Sequence, residues 1–195
     1  GWQVDSLWVK KMDGTERMQF PPVRLRNAII VAKESPVIPF PRPAGILYTG
    51  TGAYAITGES EAYFIASYIS GKPLIMCFAE LDVERKNDFF NRLGLSLSQF
   101  RQRGIFPLDF APRDIVYEKR EEPEIGVVHL YTLVDTEHVA VTPDLTNSKI
   151  GQKLKAEQRE EFRKEYKGFL SQVEIEEAIR TVFDDRDKII LEGGE

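Results

Sequence analysis

Four charged side chains follow an apolar run in a spacing that could support metal-ion chemistry. The run covers residues 74–78, and the side chains are Glu80, Asp82, Glu84 and Lys86. Carboxylates are the ligands that Mg²⁺ and Mn²⁺ prefer, and a lysine beside them could stabilise charge at a phosphodiester. The pattern predicts, as an alternative, a metal-dependent phosphodiesterase or nuclease with Asp82 and Glu84 as metal ligands. The favoured interpretation is a solvated junction between a strand and a helix.

Cysteine and histidine add no second catalytic pattern. Cys77 lies inside the apolar run, where burial keeps a thiol protonated and inert. Because it is the single cysteine of the chain, an internal disulfide and a cysteine-based zinc site are excluded. His129 and His138 fall on opposite arms of a predicted hairpin, too far apart to share a metal ion. No cofactor is predicted apart from the Mg²⁺ or Mn²⁺ of the alternative hypothesis.

The Gly-Thr-Gly stretch at residues 50–52 has only a superficial likeness to a phosphate-binding loop. Free amides at a helix N-terminus bind anions, but Glu59 and Glu61 would already occupy that end of the predicted helix and repel a phosphate. A three-residue turn between two strands is the favoured interpretation. A small-ligand sensor, with a pocket against this hairpin, stays open as a third function.

An arginine-rich segment with aromatic neighbours is the candidate interaction surface. Phe100, Arg101 and Arg103 could form a basic and aromatic patch for nucleic acid or a phosphorylated partner. Acidic residues are interleaved with these arginines, which favours internal ion pairs over such a patch. Phe162 and Tyr166 share one face of a predicted C-terminal helix and would add apolar contacts.

Composition and charge limit the classes of partner. The chain has 195 residues, of which 42% are hydrophobic and 29% charged, and its net charge is −5. These values are typical of a globular domain, and the negative charge disfavours a nucleic-acid partner without excluding one. No run of about 18 apolar residues is present, which predicts no membrane span. With no visible signal peptide, we expect a cytoplasmic protein, and the start at Gly1 suggests either a segment of a larger protein or a tag remnant.

Hydrophobic patterning predicts an α+β fold with a mostly antiparallel sheet of about five to seven strands and helices on one face. In the first half, strands are predicted at residues 27–32, 44–49, 53–57 and 74–79, and a helix at residues 57–70. The second and third strands would form a hairpin, and the last would be buried at the centre of the sheet. This hairpin, helix and strand form the predicted nucleus of the fold.

The second half is predicted to contain two short helices followed by a hairpin. The first helix is expected to end at Gly94, and Ser96 is expected to begin the next. Residues 127–134 and 138–142 are predicted to pair around a short polar turn.

A change of composition after residue 147 predicts a division of the chain. Residues 1–147 would form an α+β core domain, and residues 148–195 a helical C-terminal arm with few apolar residues that needs a surface to pack on. These features favour a non-catalytic protein-interaction or assembly domain that binds a protein partner or self-associates. Enzymatic activity is left undecided at this point.

Overall fold

The first sheet is built from the N-terminal part of the chain. The computed structural model describes residues 7–11, 29–33, 37–38, 40, 43–48, 62–67, 69–108, 110–134, 139–142 and 148–184, and all structural statements concern these residues. Strands β1 (Leu7–Lys11), β2 (Pro43–Tyr48) and β3 (Ala62–Ser67) are arranged in the order β1-β3-β2, with β3 antiparallel to both neighbours. The central position of β3 explains why its Ala66 side chain is buried in the core.

Two smaller antiparallel sheets follow. One contains β4 (Lys72–Pro73), β6 (Ile115–Glu122) and β7 (Gly126–Leu133) in that order, and the other pairs β5 (Ile105–Pro107) with β8 (Val139–Val141). The β6–β7 hairpin has the longest register of the three sheets, from Ile115 opposite Leu133 to Glu122 opposite Gly126. Gly126 closes its turn with a φ of +84°, which glycine adopts without steric cost. Helices combined with antiparallel strands confirm the predicted α+β class.

Helix α1 (Val83–Gln102) is the longest of the described helices. Asp82 is its N-cap, and the carboxylate accepts a hydrogen bond of 2.8 Å from the backbone N–H of Arg85. One face of the helix carries apolar side chains at helical spacing, and these are buried in the core: Phe89, Phe90, Leu93, Leu97 and Phe100.

Two further helices complete the core. Helix α2 (Lys149–Tyr166) begins after the N-cap Ser148, and α3 (Gln172–Ile179) begins with a capping box made by Ser171 and Glu174. A π-helical turn, Arg180–Asp184, follows α3. Side chains from these elements join the same hydrophobic cluster as α1: Phe162, Tyr166, Ile175, Ile179 and Phe183. The helices of the predicted arm therefore pack on the rest of the chain, whereas the domain boundary at residue 147 stays a prediction.

Three predictions of local structure were wrong. Residues 29–33 are helical, where a strand was expected, and β3 occupies part of the predicted helix at residues 57–70. The apolar run at residues 74–79 forms two 3-10 turns, and its Met76 side chain is 69% exposed. Pro73 cannot donate a ladder hydrogen bond, and the buried Leu74 and Phe78 are spaced as in a turn. The predicted turn at residues 50–52 and strand at residues 53–57 lie outside the described residues.

The predicted sheet and hairpin also differ from the structure. The strands of the described residues form three small sheets, where one sheet of five to seven strands was expected. The arms predicted to pair with each other are β7 and β8, but β7 pairs with β6 and β8 pairs with β5. Proximity in sequence favoured the wrong partner, because strand pairing is decided by tertiary packing as well as by loop length.

Gly94 does not end a helix, because α1 runs through it without interruption. A Cβ atom at this position would lie 3.0 Å from the Thr181 carbonyl oxygen and 3.0 Å from Val182 Cα. The absence of a side chain lets α1 approach the π-helical turn closely, at a position that sequence spacing alone had suggested was a helix terminus.

Replacing Gly94 with Ala is expected to destabilise the protein by about 1–3 kcal/mol, because the new methyl group would lie 3.0 Å from backbone atoms, which would have to shift to accommodate it. Gly168→Ala is the matched control, since a Cβ atom added there would meet nothing within 4 Å apart from its chain neighbours. That control should change stability by less than about 1 kcal/mol. Urea denaturation measures the stability of both variants. Equal denaturation midpoints would contradict the close packing of α1 against the π-helical turn.

Candidate functional site

The base of the β6–β7 hairpin brings two distant parts of the chain together. Asp114 ends a 3-10 turn, Pro112–Asp114, directly before β6, and Val134 directly follows β7. The backbone N–H of Val134 donates a hydrogen bond of 2.8 Å to the carbonyl oxygen of Asp114. The chain entering the hairpin and the chain leaving it are therefore held side by side.

The segment that leads into this hairpin is fixed by buried side chains. Phe106 and Phe110 are 0% and 1% exposed, and Ala111 and Pro112 are also buried. The N–H of Asp114 donates to the carbonyl oxygen of Ala111 at 2.9 Å, which closes the turn. The Asp114 side chain is 14% exposed, so its carboxylate is largely enclosed at the mouth of the hairpin.

Side chains of helix α2 form hydrogen bonds with the same segment. The Gln158 side-chain amide donates to the Pro107 carbonyl oxygen at 2.7 Å, and the Tyr166 hydroxyl donates to the Phe110 carbonyl oxygen at 3.1 Å. Both donors are fully buried. Arg113 makes a two-bond ion pair with Glu165, at 2.6 and 3.0 Å.

Three aspartates belong to this region of the sequence, and none of them was among the predicted site residues. Asp109 and Asp114 stand five residues apart before the hairpin, and Asp135 is the first residue after Val134. Asp109 and Asp135 lie outside the described residues. The signal that could have identified them is an Asp-x₄-Asp spacing before a two-stranded hairpin, with a further aspartate directly after it.

The predicted acidic cluster around Asp82 is not assembled. The Asp82 carboxylate is occupied as the cap of α1, and the Glu84 side chain is 79% exposed beside Arg85. Lys86 points its ammonium group toward the Phe78 ring, 5.6 Å from the centroid, and Glu80 belongs to the preceding 3-10 turn. No group of three or more His, Cys, Asp or Glu among the described residues could hold a metal ion. The strand needed to align the four side chains does not form here.

The predicted interaction surface is mostly interior. Phe100, Phe162 and Tyr166 are at most 1% exposed, and Arg101 is 1% exposed, so these side chains cannot meet a partner in this fold. Arg103, by contrast, is exposed. Burial, with the nearby Arg159 charge, lowers the pKa of Arg101 to about 10, and its guanidinium lies 5.6 Å from the centre of the Phe183 ring.

Cys77 lies between the two 3-10 turns, and His129 lies on β7. Cys77 is half-buried, less than was expected, and burial followed by the Glu80 charge raises the pKa of its thiol. The Tyr117 hydroxyl and His129 Nδ1 are hydrogen-bonded at 2.6 Å. Burial and the charges of Arg85 and Lys119 lower the pKa of His129, which keeps the ring neutral near pH 7. His138 lies outside the described residues.

No protein-family model and no curated protein matches this sequence. Among solved structures, the chain is similar to the Rio2 kinase–ADP/Mg²⁺–phosphoaspartate complex from Chaetomium thermophilum, with 13% identity and a TM-score of 0.49. That match covers 94% of this chain and 52% of the Rio2 chain, so the chain spans about half the length of that protein. A second similar structure is WaaP in complex with acyl carrier protein, with 7% identity, a TM-score of 0.46, and coverage of 97% of this chain and 80% of that chain.

These neighbours correct the function expected from the sequence. Both have a protein kinase-like fold, and the prediction of a non-catalytic interaction or assembly domain is wrong on this comparison. No described helix is long and apolar enough to cross a membrane.

Proposed function

We propose that the chain is a phosphotransferase of the protein-kinase type, which transfers a phosphoryl group from a nucleoside triphosphate with the help of a divalent cation. The observation that carries the proposal is the hairpin base, where Asp114 directly precedes β6 and its carbonyl oxygen accepts the Val134 N–H. The residue that follows Val134 in the sequence is Asp135. Asp114 therefore takes part in this hydrogen bond, and Asp135 is the sequence neighbour of its other partner, Val134.

The spacing of the aspartates supports the same assignment. Protein kinases carry a catalytic-loop aspartate, an asparagine five residues later, and an aspartate after the next hairpin; the last two hold Mg²⁺. This chain has Asp109, Asp114 and Asp135 in that order. It differs from the kinase pattern at four places: Pro107 replaces the histidine, Leu108 the arginine, Asp114 the asparagine, and Thr136-Glu137 the Phe-Gly pair.

The roles of these residues follow from their chemistry. Asp109 would orient the acceptor hydroxyl and accept its proton, as the catalytic-loop aspartate does in kinases. Lys10 would contact the nucleotide phosphates, because it lies on a strand, as the phosphate-binding lysine of kinases does; Leu7-Trp8-Val9 stands here in place of the Val-Ala-Ile that precedes that lysine. Its strand, β1, is an edge strand of the first sheet, with Lys10 opposite Phe64 of β3.

The donor set fits a hard divalent cation. Asp114 and Asp135 would hold the ion through carboxylate oxygens, which Mg²⁺ and Mn²⁺ prefer over nitrogen or sulfur. The low exposure of the Asp114 side chain supports this, since an enclosed carboxylate loses less binding energy to solvent. When bound, the cation would neutralise charge on the transferring phosphoryl group.

Binding of nucleotide and metal is the direct test of the proposal. Mg²⁺ and ATP together are expected to raise the melting temperature by about 5–10 °C at 100-fold excess over the dissociation constant, because binding to the folded state stabilises it. ATP with a chelator should give a much smaller rise. Formation of ADP, or transfer of labelled γ-phosphate to an acceptor, should accompany the binding.

The double variant Asp82→Asn/Glu84→Gln is the matched control. It removes two carboxylates from the other acidic segment, and asparagine still caps the helix, so stability should fall by less than about 1 kcal/mol. The shift with Mg²⁺ and ATP should be unchanged in this variant. Absence of any shift in the parent chain, or its loss in the control variant, would contradict the proposed site.

Cellular location and partners remain predictions from the sequence.

A further inference from the structure

A groove separates the first turns of α1 from α3. Its wall on α1 is formed by Val83, Lys86, Asn87 and Phe90, whose i, i+3, i+4 and i+7 spacing places them on one face of the helix. The groove has a volume of about 130 Å³. Because an engineered cavity of about 150 Å³ holds benzene, this space suits one ring-sized group.

The opposite wall comes from α3 and the π-helical turn that follows it. Glu174, Glu177, Ala178 and Thr181 repeat the same helical spacing, and Leu170, which precedes α3, completes the lining. Two helix faces with matching spacing therefore enclose the groove from both sides.

Contacts at each end of the groove fix the relation of its two walls. At one end, Gly94 of α1 packs so closely that a Cβ atom there would lie 3.0 Å from the Thr181 carbonyl oxygen. At the other end, hydrogen bonds from Ser171 and the positive charge of Lys86 lower the pKa of Glu174. The two helices therefore run in the same direction, and the residues between these contacts line the middle of the groove.

The middle of the groove combines a free carboxylate with an apolar floor. The Glu174 carboxylate accepts a hydrogen bond of 2.7 Å from the Ser171 N–H in the capping box. The exposed Glu177 carboxylate, in contrast, makes no hydrogen bond or ion pair within the part of the chain that the structure describes. Phe90 and Ala178 are each 4% exposed, so a ring placed between the walls would lie against apolar atoms.

The lysine of the groove is already engaged. Lys86 Nζ lies 5.6 Å from the centre of the Phe78 ring, and its charge acts on Glu174 across the groove. An anionic ligand would have to compete with both of these interactions, whereas a cationic ligand meets the Glu177 carboxylate directly. The net charge of −5 on the whole chain attracts cations as well. Charge complementarity therefore favours a cation that carries an apolar group.

We propose that this groove binds small aromatic amines in their protonated form. The ammonium group pairs with the Glu177 carboxylate and donates a hydrogen bond to the Asn87 amide oxygen. The aromatic ring of the ligand packs on Phe90 and Ala178. This inference does not depend on the proposed phosphotransfer, because no residue of the groove belongs to the base of the β6–β7 hairpin.

The first experiment compares three ligands of the same size that differ in charge. Phenethylamine is expected to shift the amide NMR signals of residues 83–90 and 174–181 in a saturable way. The dissociation constant should be about 1 mM, which is reasonable for a ligand of about nine heavy atoms. Phenethyl alcohol, which keeps the ring without the charge, should bind about threefold more weakly. Phenylpropionate, whose carboxylate would face Glu177, should bind about tenfold more weakly.

The second experiment separates the contribution of charge from that of the apolar floor. Glu177→Gln should weaken phenethylamine binding about threefold and leave phenethyl alcohol binding unchanged. Glu157→Gln is the matched control, because it makes the same change at an exposed position of α2 outside the groove, and both ligands should bind it as they bind the parent. Asn87→Phe places a ring over the floor, so neither ligand should shift the groove signals of this variant.

Preference for the amine, its reduction in Glu177→Gln and the loss of binding in Asn87→Phe would together support the inference. Equal binding of the three ligands, shifts located outside the groove, or unchanged amine affinity in Glu177→Gln would overturn it. Melting temperatures of the variants close to that of the parent show that the fold is kept. Each of the contrary results would leave the proposed phosphotransfer intact, since nucleotide binding tests that function separately.

Discussion

The Asp135→Asn variant is expected to lose phosphotransfer activity by about 1,000-fold, or about 4 kcal/mol of transition-state stabilisation. The substitution keeps the size of the side chain but removes the negative charge that would hold the divalent cation against the nucleotide phosphates. The melting temperature without ligand should change little, whereas the rise caused by Mg²⁺ and ATP should largely disappear. Steady-state kinetics with labelled ATP and thermal unfolding measure the two effects.

Two other substitutions sharpen this prediction. Glu122→Gln makes the same charge change at the far end of the same hairpin, opposite Gly126, and should leave activity within about twofold, as surface changes usually do. Asp114→Asn installs the residue that kinases carry at this position, so activity should fall far less than in Asp135→Asn. If Asp135→Asn kept parental activity, or Glu122→Gln lost it, the assignment of the cation site would be wrong.

The Phe78→Ala variant is expected to destabilise the protein by about 3–5 kcal/mol, the range for truncation of a fully buried aromatic side chain. Phe78 is 0% exposed, and its ring makes edge contacts with Phe89 and Phe90 of α1 at 6.1 and 6.0 Å. It also contacts Tyr166 of α2 and Phe169 at 5.7 and 5.8 Å. Its removal would leave a cavity where α1, α2 and the 3-10 turn meet, and the melting temperature should fall by about 10 °C.

Met76→Ala is the control for this second prediction. Met76 lies two residues earlier in the same apolar run, but its side chain is 69% exposed, so truncation should change stability by less than about 0.5 kcal/mol. Chemical denaturation followed by circular dichroism compares the two variants. An equal loss of stability in Phe78→Ala and Met76→Ala would mean that the run does not form two 3-10 turns with the Phe78 side chain buried.

The sequence determined features that depend on neighbouring residues. The strand Pro43–Tyr48 was found where the pattern predicted one, at residues 44–49. The α2 and α3 helices followed from their helical spacing of apolar residues. The α+β class also followed, because it needs only the types of element and not their contacts.

Tertiary structure decided the contacts that join distant segments. The alternation in β7 could not indicate β6 as its partner over β8, because both candidates are strands close to β7 in the sequence. Apolar spacing at residues 62–66 fitted a helix, yet pairing on both sides makes this segment the central strand β3. The candidate site has the same origin: the Val134–Asp114 hydrogen bond and the two donors of α2 join residues 20 or more positions apart, and no local pattern encodes such distances.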